Sequence, residues 1–324
     1  MGAEMKVRYQ RAELHNHTTE SDGKLTAEEL MTYASEHNFG VIALTDHNTV
    51  SGHAKAEEVI RRKCLPLSLI RGVEATTFYG HILALGTGSM VDLMGLNPQA
   101  PEAFFSRLRC GGASVIGLAH PNCIGRPAMA GCRLDMEIHN WDLLDYIEVF
   151  NTSAGADSRA DRINGNDRTL QWWESLVLDG HHLSAVSGKD LHRIPAEEPY
   201  MLTYAAVPEE EKSDPGEQIL CAIRKQKTFV TRGPLVNVQA EGGKLHLQFD
   251  QSLEYFGWNH RYAEVSPLLW IRDDAGTERE YRLDWSSKEA WVLLPEHAHT
   301  AVLRLYDGVC EWENLLTAGI CIRW

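Results

Sequence analysis

Leu14-His-Asn-His17 is the first place in this 324-residue chain where residue type and spacing together suggest chemistry. His15 and His17 are two apart, so on an extended backbone both imidazoles face the same side and can grip one cation. Asp190 and His192 repeat that spacing near the far end of the same half. Between the two pairs lie Asp46-His47, Glu74, His81 and His120. Any one of them alone reads as a satisfied or exposed polar side chain. Gathered on one face they are costly without a cation, because buried carboxylates repel and raise each other's pKa. Imidazole and carboxylate donors without a thiolate suit zinc, manganese or iron(II). Glu74, a carboxylate able to bridge two ions, makes a multinuclear centre the expectation.

Further residues are candidates for substrate contact or orientation. Arg126 and Arg133 lie in the loop that runs from His120 to Arg133 and are suited to a phosphate or carboxylate. Lys189 precedes the expected ligand Asp190 and Asn151 ends the strand Ile147-Glu-Val-Phe; both are assigned to the substrate pocket. Glu13 and Asp46 neighbour ligands and are suited to orienting imidazoles.

The elements that must position these groups can be read from periodicity. From Leu14 to about Asp190, apolar runs such as Val41-Ile-Ala-Leu and Val115-Ile-Gly-Leu-Ala alternate with helix-like stretches. Helices are expected near 27–37, 53–63, 101–111, 139–143 and 166–179, and strands near 40–45, 67–72, 80–86, 114–119, 146–150 and 183–186. Thr26 and Glu29 have the spacing of a capping box. Strands separated by helices imply βαβ units and a mainly parallel sheet, open or closed into a barrel. The candidate ligands follow the strands, at C-terminal ends that share one face, and there active sites gather. His81 is the exception, because it opens its strand. Beyond about residue 235 the texture changes to polar-apolar alternation with Gly-containing loops, which predicts a small antiparallel β module. The expected division is a catalytic unit over 1–234 and a β-sandwich-like unit over 235–324.

Composition narrows the function classes. Hydrophobic residues are 44% of the chain, enough for a large core. The formal charge of −14 argues against an extended nucleic-acid surface. No apolar run reaches the roughly eighteen residues of a membrane span, and the N-terminal residues lack a signal-peptide core. The seven cysteines are scattered without a C-x-x-C pair and read as reduced thiols. A cytoplasmic protein without membrane contact is expected.

Taken in order, Leu14-His-Asn-His17, Ser21-Asp-Gly23, Leu44-Thr-Asp-His-Asn48, Gly72-Val-Glu74, His81-Ile-Leu-Ala-Leu, Ala119-His-Pro121 and Asp190-Leu-His192 resemble the PHP metallohydrolases over about residues 11–195. That resemblance implies a distorted (β/α)7 barrel with a trinuclear metal site. It implies a first ion on His15, His17, Glu74 and Asp190, with Glu74 bridging to a second on His81 and His120. A third ion would rest on Asp22, His47 and His192; Asp22 enters only through the resemblance. Phe78-Tyr-Gly-His-Ile-Leu-Ala-Leu-Gly86 and Ala222 to Pro234, followed by a β module, are similar to the CehA/McbA branch, which contains aryl carbamate hydrolases.

The expected activity is hydrolysis by a metal-bridging hydroxide over two to three divalent ions (zinc, manganese or iron), with Glu74 and His192 as catalytic residues and either His192 or a metal-bound water protonating the leaving oxygen. A pocket in which the dications outweigh the carboxylates favours a small anionic substrate, so a phosphoester comes first. A carbamate or carboxyl ester is the alternative, and a non-catalytic metal-binding scaffold is the reading from another class.

Overall fold

The computed structural model describes residues 7–125, Met129 and residues 131–153, 163–194, 201–250, 265–284, 286–294 and 297–324. The N-terminal half is built from β1 (Val7–Glu13), α1 (Ala27–Glu36), β2 (Val41–Leu44), α2 (His53–Lys63), β3 (Ser68–Thr77), β4 (Gly80–Leu85), α3 (Glu102–Cys110), β5 (Val115–Ala119), β6 (Tyr146–Asn151), α4 (Asn166–Leu178) and β7 (Ser184–Gly188). Then come β8 (Leu202–Pro208), α5 (Pro215–Arg224) and β9 (Thr228–Thr231). They are followed by β10 (Leu235–Glu241), β11 (Lys244–Asp250), β12 (Pro267–Asp273), β13 (Glu278–Arg282), β14 (Glu289–Leu293), β15 (Thr300–Asp307) and β16 (Leu315–Arg323). The helix expected near 139–143 is only a 3-10 turn, Trp141–Leu143, and β8 had not been anticipated.

Local sequence explains the helix closest to the site. Thr26 Oγ1 accepts the Glu29 N–H at 3.2 Å while the Glu29 carboxylate accepts the Thr26 N–H at 2.8 Å, the reciprocal capping box that the spacing implied. Helix α1 then buries Leu30, Met31, Tyr33 and Ala34. Thr26→Ala is expected to cost about 1 kcal/mol of stability, read as a lowered urea midpoint with an unchanged slope.

Thirteen strands form one sheet in the order β13-β12-β15-β16-β9-β8-β1-β2-β3-β4-β5-β6-β7. β1, β2 and β3 run parallel to one another, as do β5, β6 and β7, but β4 is antiparallel to both of its neighbours. Inward residues of all seven strands, among them Leu14, Val41, Ile70, Leu83, Val115, Tyr146 and Val186, share one buried cluster with Ile219, Leu220 and Ile223 of α5. Each fully buried aliphatic side chain there contributes roughly 1.5–3 kcal/mol.

The expected closed barrel is not completed by strand pairing. β8 takes the free edge of β1 over six residue pairs, from Val7↔Pro208 to Ala12↔Thr203, and so no ladder joins β7 to β1. Among the described residues their one pairing is a parallel bridge, Asn16↔Leu191, beyond the strand ends. β12, β13, β15 and β16 extend the main sheet through Ala318↔Val230, while β10, β11 and β14 form a separate three-stranded sheet. Leu245, Leu247 and Phe249 of that small sheet share a core cluster with Leu269, Ile271, Leu303 and Leu305 of the large one. A bidentate pair, Arg304 Nε and Nη2 with Glu174, ties β15 to α4.

Candidate metal centre

The bridge between Asn16 and Leu191 sets the alternation of side chains at the site. Leu191 N–H donates to His15 O at 3.2 Å and His17 N–H donates to Leu191 O at 3.0 Å. With period 2, Asn16 turns away, its amide donating to Ala43 O, and Leu191 joins the core, while His15, His17, Asp190 and His192 turn to the same side. A second bridge, His47↔Glu74, brings the end of β2 beside β3. His81 pairs with Thr76 on one side and Ala119 on the other. Because β4 runs against its neighbours, its first residues lie at the C-terminal ends of β3 and β5. The reversed strand thus explains the ligand that strand-end reasoning could not place.

Glu74 lies at the middle of the cluster. One of its oxygens, Oε2, is 3.3 Å from His15 Nε2, 3.3 Å from His17 Nε2 and 2.8 Å from His47 Nδ1. The other, Oε1, is 2.9 Å from His81 Nδ1 and 3.3 Å from His120 Nε2. Asp190 Oδ1 is 3.1 Å from His17 Nε2 and 3.3 Å from His192 Nδ1. Asp22 Oδ1 reaches His192 Nε2 at 3.1 Å and His47 Nε2 at 3.5 Å from the exposed rim. The loop carrying Asp22 is pinned by Asp46, which accepts hydrogen bonds from Thr18 N–H, the Thr18 hydroxyl and the Ser21 hydroxyl. Gly23 packs so tightly on the backbone of His17 that a Cβ there would lie 2.5 Å from its carbonyl oxygen.

Burial pushes the Glu74 carboxyl up, yet the charges of His15 and His81 beside it hold it well below the usual carboxylate range. Asp190 is likewise driven up by burial and held far down by His15 and His17. For His120 burial works downward, but Glu74 and Asp190 raise it to about 9. These shifts describe an anionic hollow that requires positive charge, from imidazolium or from metal ions.

Several buried atoms in that hollow have no hydrogen-bond partner: His15 Nε2, His17 Nδ1, His17 Nε2, Glu74 Oε2 and Asp190 Oδ1. Leaving such groups unsatisfied costs about 1–3 kcal/mol each, and divalent ions would satisfy the four that converge. Among the described residues, four donor sets have ligand atoms within 4.8 Å of one another: His17-Asp22-His47-His192, His15-His120-Asp190, His15-His17-Glu74 and His47-Glu74-His81. All nine expected ligands are therefore brought together. They are shared differently from the expected partition, with His17 grouped with Asp22, and His47 with His81.

The secondary candidates divide. Arg126 lies outside the described residues. Arg133 is exposed, next to Cys132, whose carbonyl oxygen is 3.1 Å from His120 Nδ1. Asn151 is buried and donates from Nδ2 to Glu148 at 3.0 Å and to Asp190 at 3.4 Å, so it braces a ligand. Lys189 does not enter the hollow, and the expected substrate role is corrected: it is 3% exposed, and its ammonium donates to Tyr33 OH and lies over the Tyr33 and Phe39 rings. Its backbone N–H donates to Glu13, beside His15. Glu148 was missed. Its signal was a single acid inside the apolar strand Tyr146-Ile-Glu-Val-Phe, where a buried charge needs partners. A groove of about 380 Å³ between β8, α5, β10 and β16 contains none of the nine ligands.

This combination of sheet, strand-end ligands and orphaned donor atoms defines a metal-binding α/β protein. The chain belongs to the PHP domain family, whose model matches residues 13–174. It is 49% identical over 77 residues to the 5'-3' exoribonuclease Rnm of Escherichia coli (strain K12), a stretch covering 22% of this chain and 26% of that protein. It is 36% identical over 78 residues to a 3',5'-nucleoside bisphosphate phosphatase of Chromobacterium violaceum, covering 23% and 27%. The chain thus matches about a quarter of the length of these curated relatives. A crystal structure from Bacteroides vulgatus ATCC 8482, described as a two-domain protein containing a predicted PHP-like metal-dependent phosphoesterase, superposes with a TM-score of 0.54 at 14% identity over 98% of both chains, a likeness of fold. No helix among the described residues is long and apolar enough to cross a membrane.

Proposed function

We propose that the chain is a metal-dependent hydrolase of small anionic phosphoesters. The observation that carries this reading is the convergence of six imidazoles and three carboxylates, with His15 Nε2, His17 Nε2, Glu74 Oε2 and Asp190 Oδ1 buried there without a hydrogen-bond partner. His15, His17, Glu74 and Asp190, then His81 and His120, then Asp22, His47 and His192 would hold two to three divalent ions, of which zinc, manganese and iron suit the donors. Such ions, when bound, lower the pKa of coordinated water and offset charge on the attacked group. Glu74 fixes the spacing of the donors from five directions. His192, part-exposed at the rim beside Asp22, would give a proton to a leaving oxygen in a two-ion centre that leaves its imidazole uncoordinated. Arg133, exposed and without a hydrogen-bond or ion-pair partner among the described residues, is available to a phosphate.

The names of the relatives add RNA phosphodiesters and nucleoside bisphosphates to the substrates to be tried. The negative net charge still favours a small substrate over an extended nucleic-acid track. A catalytic unit over 1–234, a β-sandwich-like unit over 235–324 and a cytoplasmic location consistent with seven free cysteines belong to the same reading. The sequence similarity at Phe78–Gly86 and Ala222–Pro234 favours carbamate or carboxyl esters of the CehA/McbA type as the second reading.

Purified protein should be compared on p-nitrophenyl phosphate, nucleoside bisphosphates, short RNA and naphthyl carbamates. Phosphoester turnover that is lost on chelation and restored by metal is the expected result; hydrolysis of carbamates alone would overturn it. Turnover of none of these by protein that retains its ions would leave a scaffold. Elemental analysis of His17→Ala should show near-stoichiometric metal loss.

A further inference from the structure

Glu148 is fully buried at the centre of β6, yet it is not among the metal donors. Its Oε1 is 3.0 Å from His15 Nδ1, and its Oε2 accepts the His120 backbone N–H at 2.8 Å and the Asn151 side-chain amide at 3.0 Å. Asn151 in turn reaches Asp190. One carboxylate therefore meets the supports of three ligands from three different strand ends. Two of those ligands, His120 at φ 30° and Asp190 at φ 49°, have left-handed backbones that non-glycine residues avoid and that surrounding contacts must hold.

We infer that Glu148 is a positioning residue for the metal centre, fixing the His15 tautomer with Nε2 free for a cation while anchoring the backbone of His120 and, through Asn151, Asp190. All three groups it meets act as donors: the imidazole N–H, the backbone N–H and the amide N–H. Only a carboxylate accepts from all of them, because glutamine must turn its own NH2 toward at least one. If that NH2 faced His15, the imidazole would carry its proton on Nε2 and be blocked as a ligand. The fold reserves space for this contact. A Cβ on Gly188 of the adjacent β7 would overlap Glu148 Oε1 and lie 2.7 Å from the Cβ of His15. A register shift between Glu148 and Phe150 in the β6–β7 pairing lies at the same point, as bulges beside sites often do.

The inference rests on the metal-centre reading, so its test measures metal and not turnover. Zinc and manganese affinities of the wild type, Glu148→Gln, Glu148→Asp and Gly188→Ala are to be measured by competition with a chromophoric chelator. Thermal unfolding of the chelator-stripped proteins is followed alongside. Glu148→Gln and Gly188→Ala are each expected to bind metal about 10–100-fold more weakly, with Glu148→Asp partly restoring affinity. If Glu148→Gln does not fold, Gly188→Ala carries the test alone, since it keeps the carboxylate and moves it off His15. Variants that lose thermal stability but bind metal like the wild type would overturn the inference and leave the metal centre standing. A wild type that retains no metal would remove the metal centre itself and this inference with it.

Discussion

Glu74→Gln is expected to release most of the bound metal and to lower phosphoester turnover on the order of 1000-fold, about 4 kcal/mol of barrier at 1.36 kcal/mol per tenfold. The substitution keeps the volume of the side chain, so the loss reports charge and donor capacity and not a cavity. No other side chain at the centre meets five imidazoles, from His15, His17, His47, His81 and His120. A glutamine would present one NH2 to nitrogens that must themselves face a cation. Elemental analysis beside initial rates on p-nitrophenyl phosphate checks the prediction. Wild-type metal content with wild-type turnover in the variant would contradict the central place given to this residue.

The second large effect lies away from the hollow. Arg304→Met is expected to destabilise the fold by about 3–5 kcal/mol, a fall in melting temperature of roughly 10 °C. The guanidinium pairs bidentately with Glu174 of α4, donates to Tyr306 OH at 3.0 Å and lies 4.8 Å from the Trp270 ring. Glu174 is 1% exposed; burial raises its pKa, and Arg304, ahead of Arg272, pulls it back. Removing the arginine strands that carboxyl in an apolar setting. The double variant Glu174→Leu/Arg304→Met removes both charges and is expected to recover most of the loss, because the isolated pair gains little over apolar packing. Scanning calorimetry of the three proteins decides it, and equal melting of single and wild-type chains would show that the pair carries no weight.

What could be read from the sequence was what repeats along a strand or falls at its end. The buried run Val41–Leu44 and the capping box at Thr26 are local patterns, and both appear where periodicity puts them. The pairs His15/His17 and Asp190/His192 were legible for the same reason. What was hidden depends on partners distant in sequence. His81 needed the direction of β4, and Asp22 needed the loop held by Asp46. Lys189 looked like a pocket residue because it precedes Asp190, but successive residues of an extended chain point to opposite sides, and its side chain went into the core beneath Tyr33. Closure of the sheet was hidden too. Nothing local in Leu202–Pro208 shows that it will occupy the edge of β1.

The hairpin β3–β4 pairs Thr77 with Gly80, so its tip is only Phe78 and Tyr79. That short tip leaves the two strands no freedom to slide. A slip of one residue in β4 would turn His81 to the opposite face, away from Glu74, and bring Ile82 toward the hollow. The tip is tied to the segment between β5 and β6, with Asp135 N–H donating to Tyr79 O at 2.7 Å. Phe78 at the tip is 71% exposed. Counting along a ladder therefore sets where the donor atoms of β3 and β4 meet.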